Sequence, residues 1–205
     1  MPDDPVASII ERTSGGPRCG DPDRGANVQE TNVTPIVRIA DAETARASIP
    51  DLCEVLSDCI NGGASLGFML PFGPPDAVAY WQDVAEGVEA GGIVMATAEI
   101  DGRIVGTVQV GLASKPNQPH RGDLMKLLVH RSARGLGLSR ALMEAVEAEA
   151  AHRGRTLLVL DTATGSDAEK IYPRFGWERV GVIPDYALWP QGGFCSTTLF
   201  YKRIG

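Results

Sequence analysis

Leu127-Leu128-Val129-His130-Arg131-Ser132-Ala133-Arg134-Gly135-Leu136-Gly137-Leu138-Ser139-Arg140 sets a buried apolar strand directly before glycines that open a helix. Glycine lets backbone N–H groups approach a bulky phosphate, and a helix amino terminus adds a favourable dipole. Arg131, Arg134 and Arg140 bring positive charge to this turn of a chain whose formal net charge is -7, which suits a polyanion such as a pyrophosphate. Taken alone, the glycines could equally shape a plain strand-to-helix connection with solvated arginines. No Gly-Lys-Ser/Thr follows at P-loop spacing. Gly135-Leu136-Gly137 also lacks the third glycine and the strand-one position of a dinucleotide fold.

Working outward, Leu138, Ala141, Leu142, Ala145 and Val146 fall on one face of an amphipathic helix that ends before Gly154. The strand before the turn runs from Asp123 to Val129. Upstream, Ile93 to Ile100 and Arg103 to Leu112 are strands joined by Asp101-Gly102, a dipeptide suited to the positive φ angles of a two-residue hairpin. Earlier still, a short strand at Ile36–Ile39 precedes a helix from about Thr44 to Ile60, where Pro50 predicts a kink or a late start. Asn61-Gly62-Gly63 stops that helix, and Gly73-Pro74-Pro75-Asp76 opens another to about Ala90. Downstream come a strand at Thr156–Leu160, a short helix at Ser166–Phe175, and strands at Trp177–Ile183 and Ser196–Lys202. This β-α-α-β-β-β-α-β-α-β-β order predicts a mixed sheet covered by helices.

The 205 residues give room for one catalytic domain, and 43% apolar with 22% charged residues is the balance of a globular protein. Residues 1–33, rich in Pro, Gly, Asp, Arg and Ser, read as a flexible tail before a domain at 34–205. No run approaches the roughly 20 apolar residues of a membrane span. The start Met1-Pro2-Asp3-Asp4 has no secretory pattern, so residence in the cytoplasm is expected. Cys19, Cys53, Cys59 and Cys195 show no metal-ligand spacing and read as free thiols, and no metal is expected. The acidic balance argues against nucleic acid as a partner.

Two motifs together resemble the GNAT superfamily of N-acetyltransferases. Arg134-Gly135-Leu136-Gly137-Leu138-Ser139 fits its Arg/Gln-x-x-Gly-x-Gly/Ala signature, with Ser139 replacing Gly or Ala. Ala168-Glu169-Lys170-Ile171-Tyr172-Pro173-Arg174-Phe175-Gly176-Trp177 looks like its Ala-x-x-x-Tyr-x-x-x-Gly-Phe pattern, although Gly165 stands where many members carry Asn. Asn61-Gly62-Gly63-Ala64-Ser65-Leu66-Gly67-Phe68-Met69, Lys115-Pro116-Asn117, Ser132-Ala133-Arg134-Gly135, Leu160-Asp161-Thr162 and Gly165-Ser166 are similar to the tabtoxin-resistance acetyltransferase group. The resemblance implies an α/β (α+β) fold, a mixed, mostly antiparallel twisted sheet of about seven strands flanked by about four helices.

It also implies acetyl-CoA as cosubstrate and a small-molecule amine, antibiotic- or toxin-like, as acceptor; a homodimer is common among such proteins. A protein or peptide N-acetyltransferase and a non-catalytic acyl-CoA-binding module are the other readings. Leu127, Leu128, Val129, Arg134, Gly135, Leu136, Gly137, Leu138, Ser139, Arg140 and Tyr172 would hold the cofactor. A backbone N–H near Leu128 or Val129 would polarise the acetyl carbonyl, and Tyr172 would protonate the departing thiolate. Asp123, at the start of the strand, is a candidate base: it stands where some superfamily members place a catalytic carboxylate. Period-two alternation, which puts Asp123, Met125, Leu127 and Val129 on one strand face, suits a place in the cleft. Glu99, Asp161 and ordered water are its rivals. Phe68, Met69 and Asp161 are candidate substrate contacts, although Phe68, Met69, Phe72, Trp81 and Trp189 also suit packing.

Overall fold

A computed structural model describes residues 34–205; the tail expected at 1–33 lies outside the described residues. The elements are β1 (Ile36–Ile39), α1 (Ala42–Ala47), α2 (Ile49–Asn61), α3 (Pro74–Glu89), β2 (Ile93–Ile100), β3 (Arg103–Leu112), β4 (Arg121–Val129), α4 (Leu138–His152), β5 (Leu157–Ala163), β6 (Glu178–Leu188) and β7 (Phe194–Arg203). They form one seven-stranded sheet in the order β1-β2-β3-β4-β5-β7-β6. Every neighbouring pair is antiparallel except β4 and β5. The expected mixed, mostly antiparallel sheet with helices on both faces is what the chain builds. No helix among the described residues is long and apolar enough to cross a membrane.

Pro50 acts as a late start. α1 ends at Ala47, Ser48 forms the joint, and Pro50 occupies the first turn of α2, where its missing N–H costs no hydrogen bond. The hairpin turn has positive φ at both Asp101 (50°) and Gly102 (77°), as a two-residue turn between twisted strands requires.

The helix expected at Ser166–Phe175 does not form. Short i to i+3 bonds run from Lys170 N–H to Asp167 and from Ile171 N–H to Ala168, and only Tyr172–Phe175 makes a 3₁₀ turn. Pro173 has no N–H for the carbonyl of Glu169 and its ring would crowd that carbonyl, so an α-helix cannot propagate through it. β6 and β7 are longer than expected. They sustain each other as a hairpin whose outer strand is exposed along most of its length, so no buried face marks it in the sequence.

Two apolar clusters back the two faces of the sheet. Leu138, Leu142, Met143, Val146 and Ala150 of α4 press on Ala96, Ala98, Val108, Val110, Leu124 and Leu158. Leu52, Val55, Leu56, Ile60, Trp81 and Val84 of α2 and α3 cover Met95, Ile104 and Leu128 on the opposite face. At Gly106 an added Cβ would stand 3.0 Å from the Leu128 carbonyl oxygen and 3.3 Å from Leu142 Cδ1, so α4 lies close against the strands.

Leu142 is fully buried at this contact. Leu142→Ala is expected to destabilise the domain by about 2–5 kcal/mol, read as a lowered denaturant midpoint; an unchanged midpoint would contradict this account of how α4 is anchored.

Candidate functional site

The centre of the sheet is open. β4 and β5 pair only from Arg121↔Leu157 to Asp123↔Val159 and part beyond that point. On its other side β4 stays paired with β3 as far as Gly106↔Val129. His130 N–H donates to Val105 O at 2.8 Å. Alternation along an antiparallel strand therefore turns the N–H of Val129 toward the gap and that of Leu128 toward β3. Leu127 and Val129 pack on the α4 side, and Leu128 is buried on the other.

The glycine turn sits at the mouth of this gap. A 3₁₀ turn at Arg131–Ala133 leads to Gly135 and Gly137, whose φ angles of 82° and 76° belong to the left-handed region that favours glycine. Leu138 is buried and pins the start of α4, whereas Gly135, Leu136, Gly137 and Arg140 are exposed. Among the described residues, the backbone amides of Gly135, Leu136, Gly137, Leu138 and Ser139 find no acceptor. An added Cβ at either glycine would meet nothing within 4 Å. A cleft of about 410 Å³ lies in front, lined among others by Val129, Arg134, Ser139, Arg140, Ile171 and Phe175. Unpaired amides, a helix amino terminus and two guanidinium groups fit a pyrophosphate.

Of the three arginines expected here, Arg131 is already engaged. Its backbone N–H donates to Asp58 Oδ2 at 3.0 Å and its guanidinium pairs with the same carboxylate. Burial works against the Asp58 charge, but the bonds from Arg131 overcome it and hold the carboxyl below its usual range. Arg134 Nε reaches Val129 O at 3.4 Å, and Arg140 stacks on Phe175 with its Cζ 4.8 Å from the ring centroid.

Tyr172 lies on the β5 side of the gap. Its ring is buried against Trp177 and Phe200, with centroids at 6.1 and 5.6 Å. The Trp177 indole N–H donates to Glu147, which also pairs with Lys202, so the whole stack is anchored to α4 and β7. Burial first, then the negative charge of Asp161, pushes the phenol above its ordinary pKa and keeps it protonated. Asp161 is exposed near the end of β5 and accepts a 2.8 Å hydrogen bond from Thr197 Oγ1.

Opposite Asp161 stands Lys126, which sequence reasoning passed over. Pairing shifts between Thr107↔Leu128 and Gln109↔Met125, so β4 bulges, and Lys126 takes a φ of 54°. A side-chain-bearing residue in that region stores roughly 1–2 kcal/mol of strain. The Lys126 ammonium lies 5.6 Å from the ring centroid of Phe68 and 5.5 Å from that of Tyr80. Burial lowers its pKa, and the charge of Asp161 partly opposes this. Such ring contacts are worth about 0.5–2 kcal/mol, less than the several kcal/mol it takes to remove an ion from water. Only the mismatch between two steps on β3, Thr107 to Gln109, and three on β4, Met125 to Leu128, marks it, and that mismatch depends on register.

The bulge also overturns the expected strand face. Gly122 and Leu124 face the α4 side, as do Leu127 and Val129. Asp123 lies on the other face, where strict alternation would have aligned it with Leu127 and Val129. Its carboxylate pairs with Arg121 at 2.6 Å, at the closed end of the gap. Glu99 is two strands away on β2, bound to Arg38 at 3.0 Å.

Phe68 packs on Phe72 and Tyr80, with centroids at 4.9 and 5.3 Å, and also faces Lys126. Met69 is exposed beside it. Leu70 N–H donates to Pro190 O at 2.8 Å, joining the α2–α3 loop to the β6–β7 turn that holds Trp189. Ser65 Oγ also reaches Leu188 O at 3.5 Å, so the two segments meet at two points, and Phe68 brings the first of them against Lys126.

Comparison with known proteins agrees with this geometry. Residues 63–177 match the model of the acetyltransferase (GNAT) family. Over 133 residues the chain is 32% identical to an uncharacterized N-acetyltransferase in the hisH-hisA intergenic region of Azospirillum brasilense, covering 64% of this chain and 76% of that one. A ribosomal-protein-alanine N-acetyltransferase from Brucella melitensis superposes with a TM-score of 0.70 at 21% identity, over 82% of this chain and 99% of that one. A phosphinothricin acetyltransferase from Sinorhizobium meliloti, solved in complex with acetyl-CoA, gives 0.69 at 14% identity over 84% and 89%. With the family's fold, its split sheet and its glycine turn all present, the chain belongs to the GNAT acetyltransferase family and is an acetyl-CoA-dependent N-acetyltransferase.

Proposed function

We propose that the acceptor is the amine of a compact small molecule, and that the enzyme modifies an antibiotic- or toxin-like compound in the manner of the tabtoxin-resistance group. The observation that carries the size limit is the bond from Leu70 N–H to Pro190 O. A backbone bond between the loop that carries Phe68 and the β6–β7 turn favours a closed acceptor site for a compact molecule over an open groove for a polypeptide.

Acetyl-CoA supplies an acetyl group activated as a thioester. Leu127 and Val129 offer the unpaired edge of β4 to its extended arm, while the amides of Gly135 to Ser139 with Arg134 and Arg140 take the phosphates. The N–H of Val129 donates to the acetyl oxygen as negative charge grows there. Tyr172 gives its hydroxyl proton to the departing sulfur. Its raised pKa makes it a weak acid, but the same burial makes the thiolate more basic, so the transfer remains possible between neighbours in one environment. For the base, Asp161 replaces Asp123, because Asp161 faces the gap whereas Asp123 is held by Arg121 at its closed end.

Thiol release from acetyl-CoA with a panel of small amines and basic peptides tests the acceptor class; turnover confined to peptides rejects it. Ser139→Glu leaves the glycine φ angles untouched and places a carboxylate in the phosphate cradle. It is expected to weaken acetyl-CoA binding at least about tenfold, roughly 1.4 kcal/mol, by calorimetry. Tyr172→Phe is expected to lower kcat about 100-fold or more with little change in acetyl-CoA affinity. Unaltered turnover in Tyr172→Phe removes Tyr172 as the acid.

A further inference from the structure

Lys126 is a cation in the pocket of an enzyme whose acceptor is an amine. An ammonium ion entering alone would be repelled by it, and a neutral amine would leave it without a counterion. Among the described residues it forms no ion pair, and its only close partners are the rings of Phe68 and Tyr80. A second donor stands in the same cluster. Gln109 is buried, its Oε1 accepts from the Tyr80 hydroxyl at 3.2 Å, and its Nε2 has no partner.

The Gln109 amide is closed off from solvent, so Lys126 is the donor open to a ligand, and the strained backbone there holds the ammonium against the two rings. Asp161 supplies the opposite charge: the parallel register that pairs Asp123 with Val159 brings Asp161 level with Met125, next to Lys126. A positive and a negative side chain thus flank the place where the acceptor must sit.

We propose that Lys126, on the rings of Phe68 and Tyr80, forms a subsite for a carboxylate carried by the acceptor, so that the substrate is an amino-acid-like zwitterion whose amine faces Asp161. This rests on the reading of the chain as a small-amine acetyltransferase and adds the substrate's second charge. An ammonium–carboxylate contact neutralises the half-buried cation, and Phe68 and Tyr80 shield one side of it. Polycationic amines are disfavoured by the same charge.

The test is thiol release from acetyl-CoA with the proteinogenic amino acids, their carboxamides, the matching aminophosphonates, and amines without an acid such as ethanolamine and spermidine. Wild-type enzyme is expected to use at least one amino acid with kcat/KM about 100-fold above that of its carboxamide. In Lys126→Met that preference is expected to fall to within about threefold, chiefly through KM, while Lys126→Arg recovers part of it. Thermal melting of each variant shows that it is folded. Equal loss on amino acid and carboxamide in Lys126→Met, or a wild-type enzyme that turns over only amines lacking an acid, overturns the subsite and leaves amine acetylation standing. Preference for the aminophosphonate keeps the anion subsite but overturns the carboxylate. Absence of release with every compound overturns the subsite and the small-amine reading together.

Discussion

The structure depends on a sheet that is deliberately not finished. Between β4 and β5 the pairing stops after Asp123↔Val159, and β4 continues to Val129 with one edge bare. Unpaired backbone groups inside a protein are costly, so the gap must be held open from both sides. On the β5 side, pairing with β7 runs the full length from Leu157↔Arg203 to Ala163↔Thr197. Threonines add to it: Thr197 bonds Asp161, Thr198 bonds Glu169, and Thr164 meets Thr198 at 2.9 Å. On the β4 side, β3 and the α2 face keep Leu128 buried. An extended ligand that lends hydrogen bonds to the bare edge completes the sheet.

The same opening explains the features around it. The bulge at Lys126 lies just past the last paired residues, where β4 has lost one partner and can bend. Bending turns a lysine into the aromatic cage and sends Leu127 and Val129 to the α4 side. At the mouth of the gap, Asp58 of α2 fixes Arg131, and so sets the start of the turn that presents the amides of Gly135 to Ser139. Arg134 and Arg140 make only long contacts, to Val129 O at 3.4 Å and to Arg174 O at 3.3 Å, and both line the cleft.

What was legible in the sequence was local. The turn from Arg134 to Arg140, the Asp101-Gly102 hairpin and the late start at Pro50 each depend on residues a few positions apart, and each stands where the pattern put it. The pairing of Arg131 with Asp58 joins positions 73 residues apart, and no local pattern encodes it. The expected helix at Ser166–Phe175 failed for a reason that was visible: Pro173 stands where an α-helix needs a donor. The bulge was not visible, because Lys126 is an ordinary residue at an extraordinary φ, and alternation carried past it put Asp123 on the wrong face.

This division follows from how the two halves of the site are made. The cofactor half is one contiguous strand, turn and helix start, so a short motif records it. The proposed acceptor half would draw on the α2–α3 loop, α3, β4 and β5, each giving one side chain: Phe68, Tyr80, Lys126 and Asp161. Changing one of those residues alters the charge or size of the pocket without touching the turn that grips the phosphates. A family built this way can keep one acetyl donor while its acceptors diverge, which is why the signature identifies the reaction and only the geometry around Lys126 speaks to the substrate.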